Sequence, residues 1–100
     1  MGNIEKTERI NLLFDIYENL FTEHQIKIFK SYYQDDLSLK EIAEDLGVSR
    51  NAVHDVLKRV EVMLEDYENK LSLFEKMGEI ENILNTNDEL KNQIMKILNR

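Results

Sequence analysis

Ser38-Leu39-Lys40-Glu41-Ile42-Ala43-Glu44-Asp45-Leu46-Gly47-Val48-Ser49-Arg50-Asn51-Ala52-Val53 is the stretch whose reading decides the fold. Ser38 followed three residues later by Glu41 has the form of a capping box, in which two side chains each satisfy a backbone N–H at a helix start. Leu39, Ile42, Ala43 and Leu46 follow at three- and four-residue intervals, the spacing that lines one face of a helix. Gly47 falls where a helix end needs a left-handed residue, a conformation glycine adopts without a Cβ clash. Ser49 can cap the next helix, which turns Val53, Val56 and Leu57 inward. Two short helices joined by a few residues around a glycine make the helix-turn-helix arrangement.

Working outward, Thr22-Glu23-His24-Gln25 reads as a second capping box, opening a helix with the apolar stripe Ile26, Phe29, Tyr32 and Tyr33. Asp35 and Asp36 suit the turn before Ser38. Further upstream, Ile10, Leu13, Phe14, Tyr17 and Leu20 share one face of a helix expected from about Ile4 to Leu20. Downstream, Val53, Leu57, Val60, Leu64, Tyr67, Leu71 and Phe74 alternate steps of four and three. That 3.5-residue period is a coiled-coil seam. No breaker precedes Gly78, so a long helix is expected, ending near that glycine. Ile80, Ile83 and Leu84 form a short further stripe. Thr86-Asn87-Asp88-Glu89 can cap a last helix carrying Leu90, Ile94, Ile97 and Leu98. The expected fold is all-α: a helix-turn-helix domain with its N-terminal helix over residues 1–60, and a helical extension over 61–100 that serves dimerisation within the same globular unit.

Composition narrows the function. There is no cysteine, which excludes disulfides and thiolate chemistry. The N-terminus lacks the apolar run of a signal peptide. No stretch approaches the roughly 18 apolar residues of a membrane helix. The chain is expected to be cytoplasmic, with no membrane partner. His24 and His54 lie far apart with no cysteine to assist them, so no metal site is expected. Neighbouring acidic pairs such as Glu44-Asp45 diverge by about 100° on a helix and do not converge on one atom. There is no glycine-rich phosphate loop and no nucleophile paired with a base. A non-enzymatic protein without a cofactor is the reading.

Net charge is −7, from 13 basic and 20 acidic residues. Residues 22–60 are close to neutral, with six basic and seven acidic side chains, so most of the surplus acid lies in the flanks. A helix that reads a DNA groove presents the outward residues of its N-terminal turns. Here these are Ser49, Arg50, Asn51, His54, Asp55 and Lys58, with Arg59 following and Lys40 near the start of the preceding helix. Arg50 and Lys58 suit phosphate or guanine, and Asn51 suits adenine. Asp55 can accept from cytosine but is repelled by phosphates. Together with the net charge and with Glu44 and Asp45, it implies weak, salt-sensitive duplex binding. The alternative is a solvated helix face with scattered cations. The heptad residues Leu64, Tyr67, Leu71 and Phe74 are the candidate homodimer interface, the alternative being that other helices of the same chain cover them.

The segment Leu39–Val53, continued through Lys58 and Arg59 and preceded by Leu20-Phe21-Thr22-Glu23-His24-Gln25, resembles the helix-turn-helix of sigma factor region 4, with its pattern sLxEIAxxLgvSrxxVxxxxxRa. Asp55 departs from that pattern, which usually carries a polar or basic residue there. The whole chain is similar to the YlxM family of small acidic bacterial proteins. Glu5-Lys6-Thr7-Glu8-Arg9, Leu13-Phe14-Asp15, Tyr32-Tyr33, Gly47-Val48-Ser49-Arg50 and Leu64-Glu65-Asp66-Tyr67-Glu68-Asn69-Lys70-Leu71 are among the residues that carry the likeness. The resemblance implies a sigma region 4-type helix-turn-helix without a wing. It also implies a regulatory role linked to the signal recognition particle, with components of that particle as partners, while the helices themselves suggest DNA or RNA. An adaptor that binds those components without touching DNA is the alternative it leaves open.

Overall fold

The capping boxes and apolar stripes resolve into six helices in the computed structural model, which describes residues 2–99. They are α1 (Gly2–Tyr17), α2 (Glu23–Tyr33), α3 (Leu39–Leu46), α4 (Arg50–Leu71), α5 (Leu73–Leu84) and α6 (Asp88–Leu98). There is no strand among the described residues. Among the described residues no helix is long and apolar enough to cross a membrane.

The helix starts follow from local chemistry. Thr22 Oγ1 accepts from the Gln25 N–H at 3.2 Å, and Gln25 Oε1 accepts from the Thr22 N–H at 3.0 Å. Ser38 and Glu41 repeat the exchange at 3.1 Å each way. Ser49 Oγ accepts from the Ala52 N–H, and Asn87 Oδ1 from the Leu90 N–H. Each such cap is worth about 1 kcal/mol. Gly47 ends α3 at φ 69°, and the N–H groups of Gly47 and Val48 both donate to the Ala43 carbonyl.

α4 is the spine. Ile28, Ile42, Ala43, Val53 and Leu57 form one buried cluster where α2 and α3 meet its first turns. Ile10, Leu13, Phe14, Tyr17, Phe21, Phe29, Val60 and Leu64 form a second, where α1 and α2 meet its middle. The Phe14 and Phe29 rings stack within it, centroids 3.9 Å apart. Each of these large side chains contributes about 1.5–3 kcal/mol by burial. The half-buried Tyr33 and Val56 touch both clusters, so head and spine share one continuous core.

Several expectations are corrected. α1 stops at Tyr17, and a single 3-10 turn, Glu18–Leu20, follows. The tighter winding carries Leu20 off the buried face, leaving it 52% exposed. In α2, Ile28 joins Phe29 as a fully buried residue, and Tyr32 turns outward. Adjacent tyrosines point about 100° apart, so only one can face the core. α4 ends at Ser72 rather than near Gly78, which lies inside α5. The heptad seam is covered by α1 of the same chain. Leu64 is fully buried, Tyr67 and Phe74 pack against the core, and of the four candidate interface residues only Leu71 is exposed.

The break at Ser72 has a long-range cause. Ser72 takes a left-handed conformation at φ 53°, and its side chain makes no cap to α5. Glu68 caps α5 instead, accepting from the N–H groups of Phe74 at 3.0 Å and Glu75 at 3.2 Å. Its carboxylate also accepts from the buried Tyr17 hydroxyl at 2.6 Å, and that hydroxyl oxygen accepts from the Leu73 N–H at 3.2 Å. Burial pushes the Glu68 carboxyl up. The Tyr17 and backbone hydrogen bonds and the nearby Arg9 charge outweigh it and hold the group below its ordinary value. Burial, then the Glu68 hydrogen bond, push the Tyr17 phenol up. Arg9 completes the junction, paired with Glu65 through Nε at 3.0 Å and lying 5.8 Å over the Phe74 ring.

Candidate nucleic-acid interface

The first three turns of α4 are divided lengthwise. Val53, Leu57 and Val60 are buried, and Val56 is half-buried. Ser49, Arg50, Asn51, His54, Asp55, Lys58 and Arg59 are all exposed. The cap at Ser49 and the left-handed corner at Gly47 fix where this helix starts and how it leaves α3. The buried cluster beneath sets its rotation.

The exposed residues are not all on one line. Arg50, His54 and Lys58 recur every four residues, which places them along one flank. Ser49, Arg50, Asn51 and His54 line a shallow depression with Leu39 at the α3–α4 corner. His54 and Lys58 line an adjoining one with Lys6 and Thr7 from α1, Tyr32 and Tyr33 from α2, and Glu61. Arg59 lies about 140° around the helix from His54 and lines neither. Lys40 is exposed in the first turn of α3 and also lines neither. Asp55 is central on the outward face, its side chain 78% exposed, with Oδ1 3.9 Å from Nδ1 of His54.

Sequence reasoning missed Lys6 and Tyr32, which reach this flank from other helices. The tyrosine pair was the available signal, since one ring had to face outward. Lys6 is held 3.7 Å from Glu61, which neutralises part of its charge. Burial, then the Glu61 carboxylate, push the Tyr33 phenol far above its ordinary value, so it remains a neutral donor. Hydrogen bonds from Ser38 hold the exposed Glu41 carboxyl below its usual value, keeping the α3 cap ionised. Among the described residues no cluster of three metal-ligating side chains occurs.

A family model described as "Putative helix-turn-helix protein, YlxM / p13 like" matches residues 4–99. A UPF0122 protein of Halalkalibacterium halodurans is 58% identical over 80 residues, covering 77% of this chain and 73% of that protein. UPF0122 proteins of Bacillus thuringiensis and Bacillus mycoides are each 55% identical over 76 residues, covering 76% of this chain and 69% of theirs. The chain belongs to the UPF0122 family of YlxM/p13-like helix-turn-helix proteins.

Proposed function

We propose that the chain is a non-enzymatic, cytoplasmic regulatory module that contacts nucleic acid through the outward face of α4, in the manner of sigma factor region 4. One observation carries this reading: α4 commits its apolar side to the core and leaves Arg50, Asn51, His54 and Lys58 exposed beside a glycine corner. Arg50, Lys58, Lys40 and Arg59 supply phosphate or guanine contacts, and Asn51 can pair with adenine through two hydrogen bonds. Asp55 at the centre of that face, on a chain of net charge −7, keeps the affinity low and salt-dependent. The YlxM resemblance implies a place in the signal recognition particle pathway.

Titration against duplex DNA and structured RNA at two salt concentrations tests the reading. Replacing both Arg50 and Lys58 by alanine is expected to weaken binding and to reduce the salt slope by about 2, one for each phosphate left without its cation. A double variant that binds as the native chain does would refute it. A second reading is favoured by the charge distribution, since the surplus acid lies outside residues 22–60. Those flanks suit a basic protein partner, and an adaptor of that kind would work without touching DNA.

A further inference from the structure

α1, α5 and α6 enclose a groove of about 660 Å³ on a part of the surface away from α4's outward face. Leu12, Ile16, Phe74, Met77, Met95 and Leu98 give it an apolar lining. Asp15, Glu18 and Glu81 stand along it, Glu18 already paired with Lys30 at 3.3 Å, and among the described residues no lysine or arginine lines it. Methionine side chains adapt to irregular apolar partners.

Gly78 lines the same groove from the interior of α5. A glycine within a helix costs roughly 1 kcal/mol relative to alanine. Nothing inside the chain requires it here: Gly78 makes no turn, and a Cβ built on it would meet nothing within 4 Å. The missing side chain instead leaves the α5 backbone open to close approach by whatever enters the groove.

We propose that this groove takes one face of a basic amphipathic helix from a partner protein. The apolar side of that helix would lie on the methionines and leucines and its backbone would cross Gly78. Its lysines or arginines would meet Asp15 and Glu81. Helix-in-groove recognition needs an apolar floor and a complementary rim. An acidic rim selects a basic helix and repels both an anionic membrane and the acidic surface of a second copy. This surface and its partner chemistry rest on the adaptor reading and are independent of what α4 touches.

The probe is a labelled amphipathic peptide of leucine and lysine, about five turns long, with a leucine–glutamate peptide as control, titrated into the full chain by fluorescence anisotropy. The lysine peptide is expected to bind, less tightly as salt rises, and the glutamate peptide not to bind. Asp15→Lys with Glu81→Lys should weaken binding about tenfold. Gly78→Leu should weaken it comparably while circular dichroism shows an unchanged or higher melting temperature. The charge-neutral variant Gly78→Leu should leave the nucleic-acid titration unaltered, so failure of this proposal is separable from failure of the α4 reading. Equal binding of the two peptides, binding of neither, or native affinity in the charge-reversed variant would overturn it. So would a native dimer that Gly78→Leu dissociates, which would assign the groove to a second copy.

Discussion

Among the described residues Glu68 is the one charged side chain that is buried, and its position joins three helices. It sits on α4, accepts from Tyr17 of α1 and caps the start of α5. Replacing it with alanine orphans the Tyr17 hydroxyl and two backbone N–H groups, each costing about 1–3 kcal/mol if left unpaired. Partial hydration at the junction reduces the sum, and a loss of about 2–4 kcal/mol by urea unfolding is the expected outcome. A loss below about 0.5 kcal/mol would mean the carboxylate is incidental. The pH dependence has a definite sign. The folded-state pKa of Glu68 lies below its unfolded value, so its stabilisation is fully present above the ordinary carboxylate range. It is lost as pH falls through that range toward the folded value. Glu68→Gln should therefore be less stable than the native chain at neutral pH, with the gap narrowing in acid. A constant gap from pH 7 to pH 3 would contradict the assignment.

Two glycines, placed in different elements, are expected to respond in opposite directions to the same change. Gly47 closes α3 at φ 69° with open space where a Cβ would go. Gly47→Ala therefore meets no clash and incurs only the left-handed backbone penalty, about 1–2 kcal/mol. Gly78 is helical with equally open space, and Gly78→Ala should stabilise by roughly 0.5–1 kcal/mol. Thermal melts of the two variants on opposite sides of the native value would bear this out, and shifts of the same sign would not. The contrast also marks how far local pattern reaches. Gly47 is legible in the sequence because its signal is local: a capping box, an apolar stripe and a glycine in order over ten residues. The α4–α5 break is not. Its cause is a hydrogen bond between Tyr17 and Glu68, 51 positions apart in sequence, and no local pattern encodes it. Ser72, a residue that seldom takes a left-handed backbone, is recruited by that junction. Leu64 reads as an interface residue for a related reason. A heptad seam specifies only that something apolar covers it, and here the cover is α1. The exposed face of the first three turns of α4 is legible, because helical period alone fixes which residues face out there; further along, Leu71 turns out and Glu68 turns in. What that face binds is a matter of chemistry beyond the chain.

At the scale of the whole molecule, stability is unevenly spread. The chain measures 50 × 28 × 24 Å with a radius of gyration of 16.1 Å, against about 13 Å for a compact domain of this length. It exposes 7304 Å² where a compact 11.9 kDa chain exposes about 6,000 Å². The excess has a location. α6 contributes no buried residue, and Leu90, Ile97 and Leu98 stand exposed on it. A helix of 11 residues is marginal by itself in water, so α6 depends on what it packs against. Native-state hydrogen exchange on the full chain should then separate into two classes. Amides of α4 from Val53 to Leu64, between both buried clusters, should exchange only through global unfolding. Those of α6 should exchange faster by several orders of magnitude, through local opening. Adding the leucine–lysine peptide should slow α5 and α6 selectively, because a helix in the groove touches Met77, Met95 and Leu98 and leaves the α4 core as it was. Protection of α6 equal to that of α4 in the free chain would mean that the C-terminal helices are already covered, and the groove would then have no vacancy for a partner to fill.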